Sequence, residues 1–133
     1  MSAGFDHNRT SLLVAIMEKR LGLNLQGEDI FINIAGGLKI SEPAVDMGVA
    51  AAIAGSFRNR SVDPHTVMIG EVGLTGEVRS VMQLEARLAE AERLGFKKCV
   101  VPHSTKEARL INKSSSLRLV PVKTLSDAFD TVF

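Results

Sequence analysis

The sequence has no tryptophan and no tyrosine, a single cysteine and only four prolines in 133 residues. Each scarcity excludes something. One cysteine, Cys99, cannot build an internal disulfide framework and fits a reducing compartment, so the cytoplasm is the expected location. Six phenylalanines are the only aromatic residues, and Phe31, Phe57 and Phe96 sit among apolar neighbours that mark them for the core. Sequence-tolerant binding of single-stranded nucleic acid relies on exposed aromatic platforms, so that mode is disfavoured. The apolar run Leu12 to Met17 in the first helix falls far short of the about 20 residues a membrane span needs, and no membrane partner is expected. No charged segment with a cleavage site follows the pattern of a secretion signal. Neither GxxxxGK[ST] nor GxGxxG occurs, so no nucleotide or other cofactor is expected in this domain. His7, His65 and His103 are scattered without ligand spacing, and no metal site is expected.

What is present reads as one globular domain with a single core, at 45% hydrophobic and 23% charged residues. The net charge is only +1, but it is unevenly spread. From Lys97 to Lys123 seven basic residues stand against one acid, Glu107. This excess is either a solvated surface balanced elsewhere or the footprint of a polyanion. Three tight basic clusters stand out: Arg58 with Arg60, Lys97 with Lys98, and Lys19 with Arg20. The last pair closes the first helix, where it also suits the helix dipole. With no aromatic platforms, any nucleic-acid contact should run from these side chains to phosphates.

The spacing predicts a helix capped by Asp6, with Leu12, Leu13, Ile16 and Met17 as its apolar stripe and Gly22 as its stop. Residues from about Asp29 alternate as a strand, interrupted by Gly36-Gly37 before Leu38-Lys39-Ile40. Ser41 is a candidate cap, with Pro43 in the first turn, for a helix to about Phe57 thinned by Ala44, Gly48, Ala51, Ala52 and Gly55. Val67 to Ile69 and Glu77 to Val81 read as strands joined through Gly73-Leu74-Thr75-Gly76 as a hairpin. Leu84, Leu88, Ala91 and Leu94 recur at helical spacing up to Gly95, and Cys99 to Val101 form a strand ending at Pro102. A short helix near Lys106 to Asn112, a strand over Leu117 to Val122 and a helix from about Leu125 complete the chain. The fold class is therefore α/β of the α+β type, with a mixed sheet, an embedded hairpin and packed helices.

The unit from Gly70 to Pro102 resembles the second half of the Lon-type proteolytic domain. That family's lysine follows the Gly-Glu hairpin, and its serine opens a small-residue helix. The resemblance puts Glu85, in Met82-Gln83-Leu84-Glu85, at the lysine position and Asp46, in Ala44-Val45-Asp46-Met47-Gly48, at the serine position. A Ser–Lys dyad needs a hydroxyl beside a neutral amine, and two carboxylates supply neither. No catalytic residue is therefore assigned, and an active Ser–Lys peptidase stays only as an alternative. If the two carboxylates converge, an arginine (Arg9, Arg79 or Arg87) should bridge them.

A narrower resemblance rests on Gly4-Phe5-Asp6-His7-Asn8-Arg9-Thr10-Ser11, Ala35-Gly36-Gly37, Glu42-Pro43-Ala44-Val45-Asp46 and Gly70-Glu71-Val72-Gly73-Leu74-Thr75-Gly76-Glu77-Val78-Arg79. Across residues 4–133 the chain resembles the Lon protease-like C-terminal domain of the RadA (Sms) family of bacterial RecA-like DNA repair and recombination proteins; residues 1–3 are read as linker or appended residues. The resemblance implies a longer protein with a zinc-binding segment and an ATPase core, hence ATP, Mg and Zn outside this domain. It implies branch migration on double-stranded or branched DNA, assembly into a hexameric ring, and recombination partners such as RecA. A pure oligomerisation scaffold without DNA contact is the other reading that remains.

Overall fold

The computed structural model describes residues 7–24, 42–104 and 116–133. The expected cap Asp6, the strand from Asp29, the Lys39 and Ser41 segment and the helix near Lys106 lie outside these residues. Helix α1 spans His7–Leu21 and ends at Gly22, whose φ of +70° is the left-handed stop the sequence predicted. It buries Leu13, Ile16 and Met17, whereas Leu12, expected in the same stripe, lies outside the buried face. A short 3-10 turn at Pro43–Val45 leads into α2, Asp46–Arg58. Glu42 caps that turn, its carboxylate accepting the Ala44 N–H. The acceptor is thus Glu42, beside the expected Ser41. Helix α2 closes on Asn59 in the left-handed region, φ 55°.

The next segments part from expectation. Thr66–Met68 is strand β1, but it is not an arm of the hairpin. It pairs in parallel with β4, Lys98–Pro102, which pairs in parallel with β5, Arg118–Val122. The hairpin is built from β2, Glu71–Val72, and β3, Val78–Arg79, as a separate two-stranded sheet. Gly70 is where the chain changes sheets. A Cβ there would stand 2.8 Å from both the Met47 and Val78 side chains, so any larger residue would have to displace them. Among the described residues the antiparallel pair is therefore attached to the main sheet rather than embedded in it. Its attachments are the Val78 N–H to Lys123 O bond, at 2.8 Å, and the Glu77–Thr124 bridge.

Helix α3, Leu84–Arg93, buries Leu84, Leu88 and Ala91 and stops at Gly95, φ +94°. Leu94, expected on the same face, is the C-cap just past the helix and is 61% exposed. Helix α4, Leu125–Val132, starts from Thr124, whose hydroxyl accepts the Asp127 N–H. Strand alternation divides the core. Met68, Val100 and Val122 face α1, α2 and α4, while Cys99, Val101 and Leu119 face α3. The result is an α/β domain with its parallel sheet between helical layers. No described helix is long and apolar enough to cross a membrane.

Candidate functional site

The two ends of the parallel sheet carry different chemistry. At the end where strands finish, Asp46 opens α2 and is completely buried. A buried carboxylate is costly unless its lone pairs and charge are met. Here they are: Arg9 donates from Nε to Oδ1 at 2.6 Å and from its terminal nitrogen to Oδ2 at 2.5 Å. The Val72 N–H donates to the same Oδ2 at 3.0 Å, and the helix N-terminus favours the negative charge. Arg9 also reaches Glu71 at 3.4 Å. The Asp46 hydrogen bonds hold the guanidinium even more firmly protonated than usual. One fork thus joins α1, α2 and β2.

The expected bridging arginine is Arg9, but the second carboxylate it meets is Glu71. Glu85 lies exposed in the first turn of α3 and is not among the groups that Asp46 or Arg9 contact. The other two candidate arginines are engaged elsewhere, Arg79 with Glu77 at 2.9 Å and Arg87 with Glu42 at 3.3 Å. With both oxygens held by donors and no solvent access, the Asp46 carboxylate is not open to a substrate. Cys99 offers no thiolate either, since burial pushes it up to about 12.

The strand-start end is basic. Lys98 and Arg118 are register partners at the beginnings of β4 and β5, and Lys97 precedes them. The turn before β1 binds this edge: His65 O accepts the Lys97 and Lys98 N–H groups at 2.9 and 3.2 Å. By strand alternation Lys98 and Arg118 share a face with Met68 and Val100, the face covered by α2 and α4. Helix α2 runs from the strand-finish end to this one, because the Met47 N–H bonds Gly70 O at its start while its far end leads through Arg60 to the turn before β1. Helix α4 reverses direction after β5 in the same sense, bringing Phe133 beside Gly55 and Arg60. Arg58 and Arg60 therefore stand at the same end as Lys97, Lys98 and Arg118. The acid beside them is Asp63, held below the usual carboxylate range by the His65 N–H above all, with Lys98 adding to the effect.

The third basic cluster does not join them. The Arg20 side chain lies against Gly76, whose carbonyl accepts the Leu125 N–H at the start of α4. Lys19 and Arg20 thus belong to the strand-finish end. Arg118 forms no cluster with its sequence neighbours; the parallel register brings it to Lys98. The charge excess from Lys97 to Lys123 was the signal that contained it.

Comparison with known proteins defines the class first. Residues 7–105 match the family model described as "Subunit ChlI of Mg-chelatase", and the chain belongs to that family. Within it, the chain is 47% identical over 130 residues, 98% of its length, to the DNA repair protein RadA of Halalkalibacterium halodurans. It is 44% identical over 98% of its length to the RadA of Bacillus subtilis, and 46% identical over 91% to that of Synechocystis. The chain spans only 28%, 28% and 23% of those three relatives.

Proposed function

We propose that the chain is a non-proteolytic Lon-like domain that supports DNA binding and ring assembly in an ATP-dependent DNA repair and recombination protein. The observation that carries this reading is the gathering of Arg58, Arg60, Lys97, Lys98 and Arg118 at one end of the sheet, away from the sealed Asp46. Two clusters 37 residues or more apart in sequence meet there with an arginine neither contains. A solvated surface needs no such convergence, whereas a phosphate backbone does. The names of the relatives point to DNA repair, and the two positions that resemble a peptidase dyad, Asp46 and Glu85, hold carboxylates. In this reading, ATP, magnesium and zinc act in segments outside this chain. Its own residues do not fit them, with no phosphate loop and one cysteine in the sequence. The partners are duplex or branched DNA, further copies in a hexameric ring, and recombination proteins such as RecA.

The test is a mobility shift of the chain on duplex DNA across a series of salt concentrations. Binding should be weak and sequence-independent, with each phosphate contact adding about 0.9 to the slope of log affinity against log salt. Arg58→Ala with Lys98→Ala should weaken binding and flatten that slope at unchanged thermal stability. Unchanged affinity would favour the scaffold without DNA contact. A fluorescent casein assay, with Asp46→Ser plus Glu85→Lys as the comparison, separates the peptidase reading.

A further inference from the structure

The basic end contains a feature that charge alone does not require. The Arg58 guanidinium stands over the rings of Phe129 and Phe133, 5.9 and 5.6 Å from their centroids. Arg60 stands over Phe133 at 5.9 Å and donates to the Phe133 carbonyl at 3.2 Å. The two rings meet edge to face at 5.5 Å and 88°, so each fixes the other. Phe129 is buried in the core shared by α2 and α4, which anchors the pair to the fold. Both arginines are exposed residues that would otherwise sample many rotamers.

From this geometry we infer that Phe129 and Phe133 are positioning residues for phosphate contact by Arg58 and Arg60, an inference that rests on the DNA-binding reading above. A guanidinium over a ring keeps its N–H donors in its own plane, so the rings leave the Arg58 fork for an anion, and Arg60 keeps the donors that do not bond the Phe133 carbonyl. Holding two long side chains before the DNA arrives removes part of the ordering cost that exposed arginines otherwise meet on binding. The ligand is the sugar–phosphate backbone, because a ring-backed fork matches phosphate oxygens and carries no base code. Gly55 completes the device. A Cβ there would stand 2.6 Å from the Arg60 carbonyl, so its lack of a side chain lets the turn carrying Arg60 fold against the end of α2 beside the Phe133 ring.

The experiment is a binding cycle on the 133-residue chain with duplex DNA, read as affinity and salt slope, with thermal unfolding recorded for each variant. Phe133→Leu should weaken binding about fivefold, the scale of the ordering cost that returns when the long arginine side chains must be immobilised on binding. The slope should stay unchanged, because no charge is removed. Phe133→Tyr should restore affinity. In the Arg58→Ala, Arg60→Ala background, Phe133→Leu should add no further loss, since positioning acts only through the arginines. Additive losses in that cycle, or parental affinity in Phe133→Leu, would overturn the inference while leaving the DNA reading intact. Parental affinity and slope in the double arginine variant would overturn both. If Phe133→Leu unfolds early, Phe133→Met supplies the same cycle with a longer side chain and no ring.

Discussion

Asp46 shows how a single residue decides what this end of the fold can do. Its carboxylate is buried with Arg9 as its one charged partner among the described residues, and Arg9 itself keeps 22% of its side chain exposed. Breaking a buried pair leaves one charge or donor set uncompensated, which typically costs about 3 kcal/mol. We expect Asp46→Ala to lose about that much stability, reduced somewhat because the Arg9 head can turn to water. Arg9→Met should cost at least as much, since the stranded group is the fully buried one. The double variant should recover most of the loss, because removing both charges also removes the desolvation penalty. Chemical denaturation of the three variants checks this; singles within about 0.5 kcal/mol of the parent would mean the fork is not structural. Glu77 gives a second residue-scale test. Hydrogen bonds from the Thr75 hydroxyl first, then from its own backbone N–H and from Arg79, lower its carboxyl from 4.5 to about 2. A depressed carboxyl contributes stability that is present above 4.5 and is lost as the pH falls toward 2. A Cβ at Gly73 would overlap the Glu77 carboxylate. In Gly73→Ala the carboxylate should be expelled, and its NMR titration midpoint should move back toward 4.5; a midpoint still near 2 would show that the hairpin adjusts around the methyl.

At the scale of elements, helices were more legible than sheets. Gly22, Gly95 and the small residues of α2 announced where helices stop and how thin they are, because those signals are local. Pairing is not local. Val67 and Ile69 alternate as well as any hairpin arm, yet β1 pairs in parallel with β4, and the chain turns away at Gly70, packed against Met47 and Val78. The site divides along the same line. Arg58, Arg60, Lys97 and Lys98 were readable as clusters, whereas Arg118 and the Phe133 support depend on register and on the return path of α4. Glu71, which follows Gly70 directly, took the place expected for Glu85 beside Arg9 because the hairpin folds over the start of α2. Gly55 is the element-scale test. In an exposed helix interior, Gly→Ala gains up to about 1 kcal/mol. Here the Cβ would stand 2.6 Å from the Arg60 carbonyl, a backbone atom that cannot step aside without opening the end of α2. The clash should win, and Gly55→Ala should destabilise by roughly 1–3 kcal/mol and loosen the Arg60 to Phe133 contact. A more stable variant in thermal unfolding would show that the turn at Arg60 yields freely.

Across the whole molecule, charge is arranged as a basic strand-start end on a chain whose net charge is only +1. Low net charge leaves little long-range repulsion between copies, so self-association is not opposed electrostatically. Helix α2 and β1 also border an open, largely apolar groove of about 610 Å³, lined by Gly48, Ala52, Gly55, Arg60, Val62 and Val67 among others. If copies assemble as a ring with their basic ends inward, each weak phosphate contact is multiplied by the number of copies. Assembly and DNA binding are then linked, and each must strengthen the other by the same factor. The expected outcome is a concentration-dependent oligomer in sedimentation that shifts to lower concentrations with duplex DNA present. Ala52→Glu, a charge set into the groove from an exposed helix position, should weaken assembly while leaving the monomer folded. DNA affinity should fall with it, though none of Arg58, Arg60, Lys97 and Lys98 has been touched. Monomer at every concentration, with or without DNA, would mean that assembly is driven by segments outside this chain. In that case the basic end acts singly, and its salt slope should match the contacts of one copy.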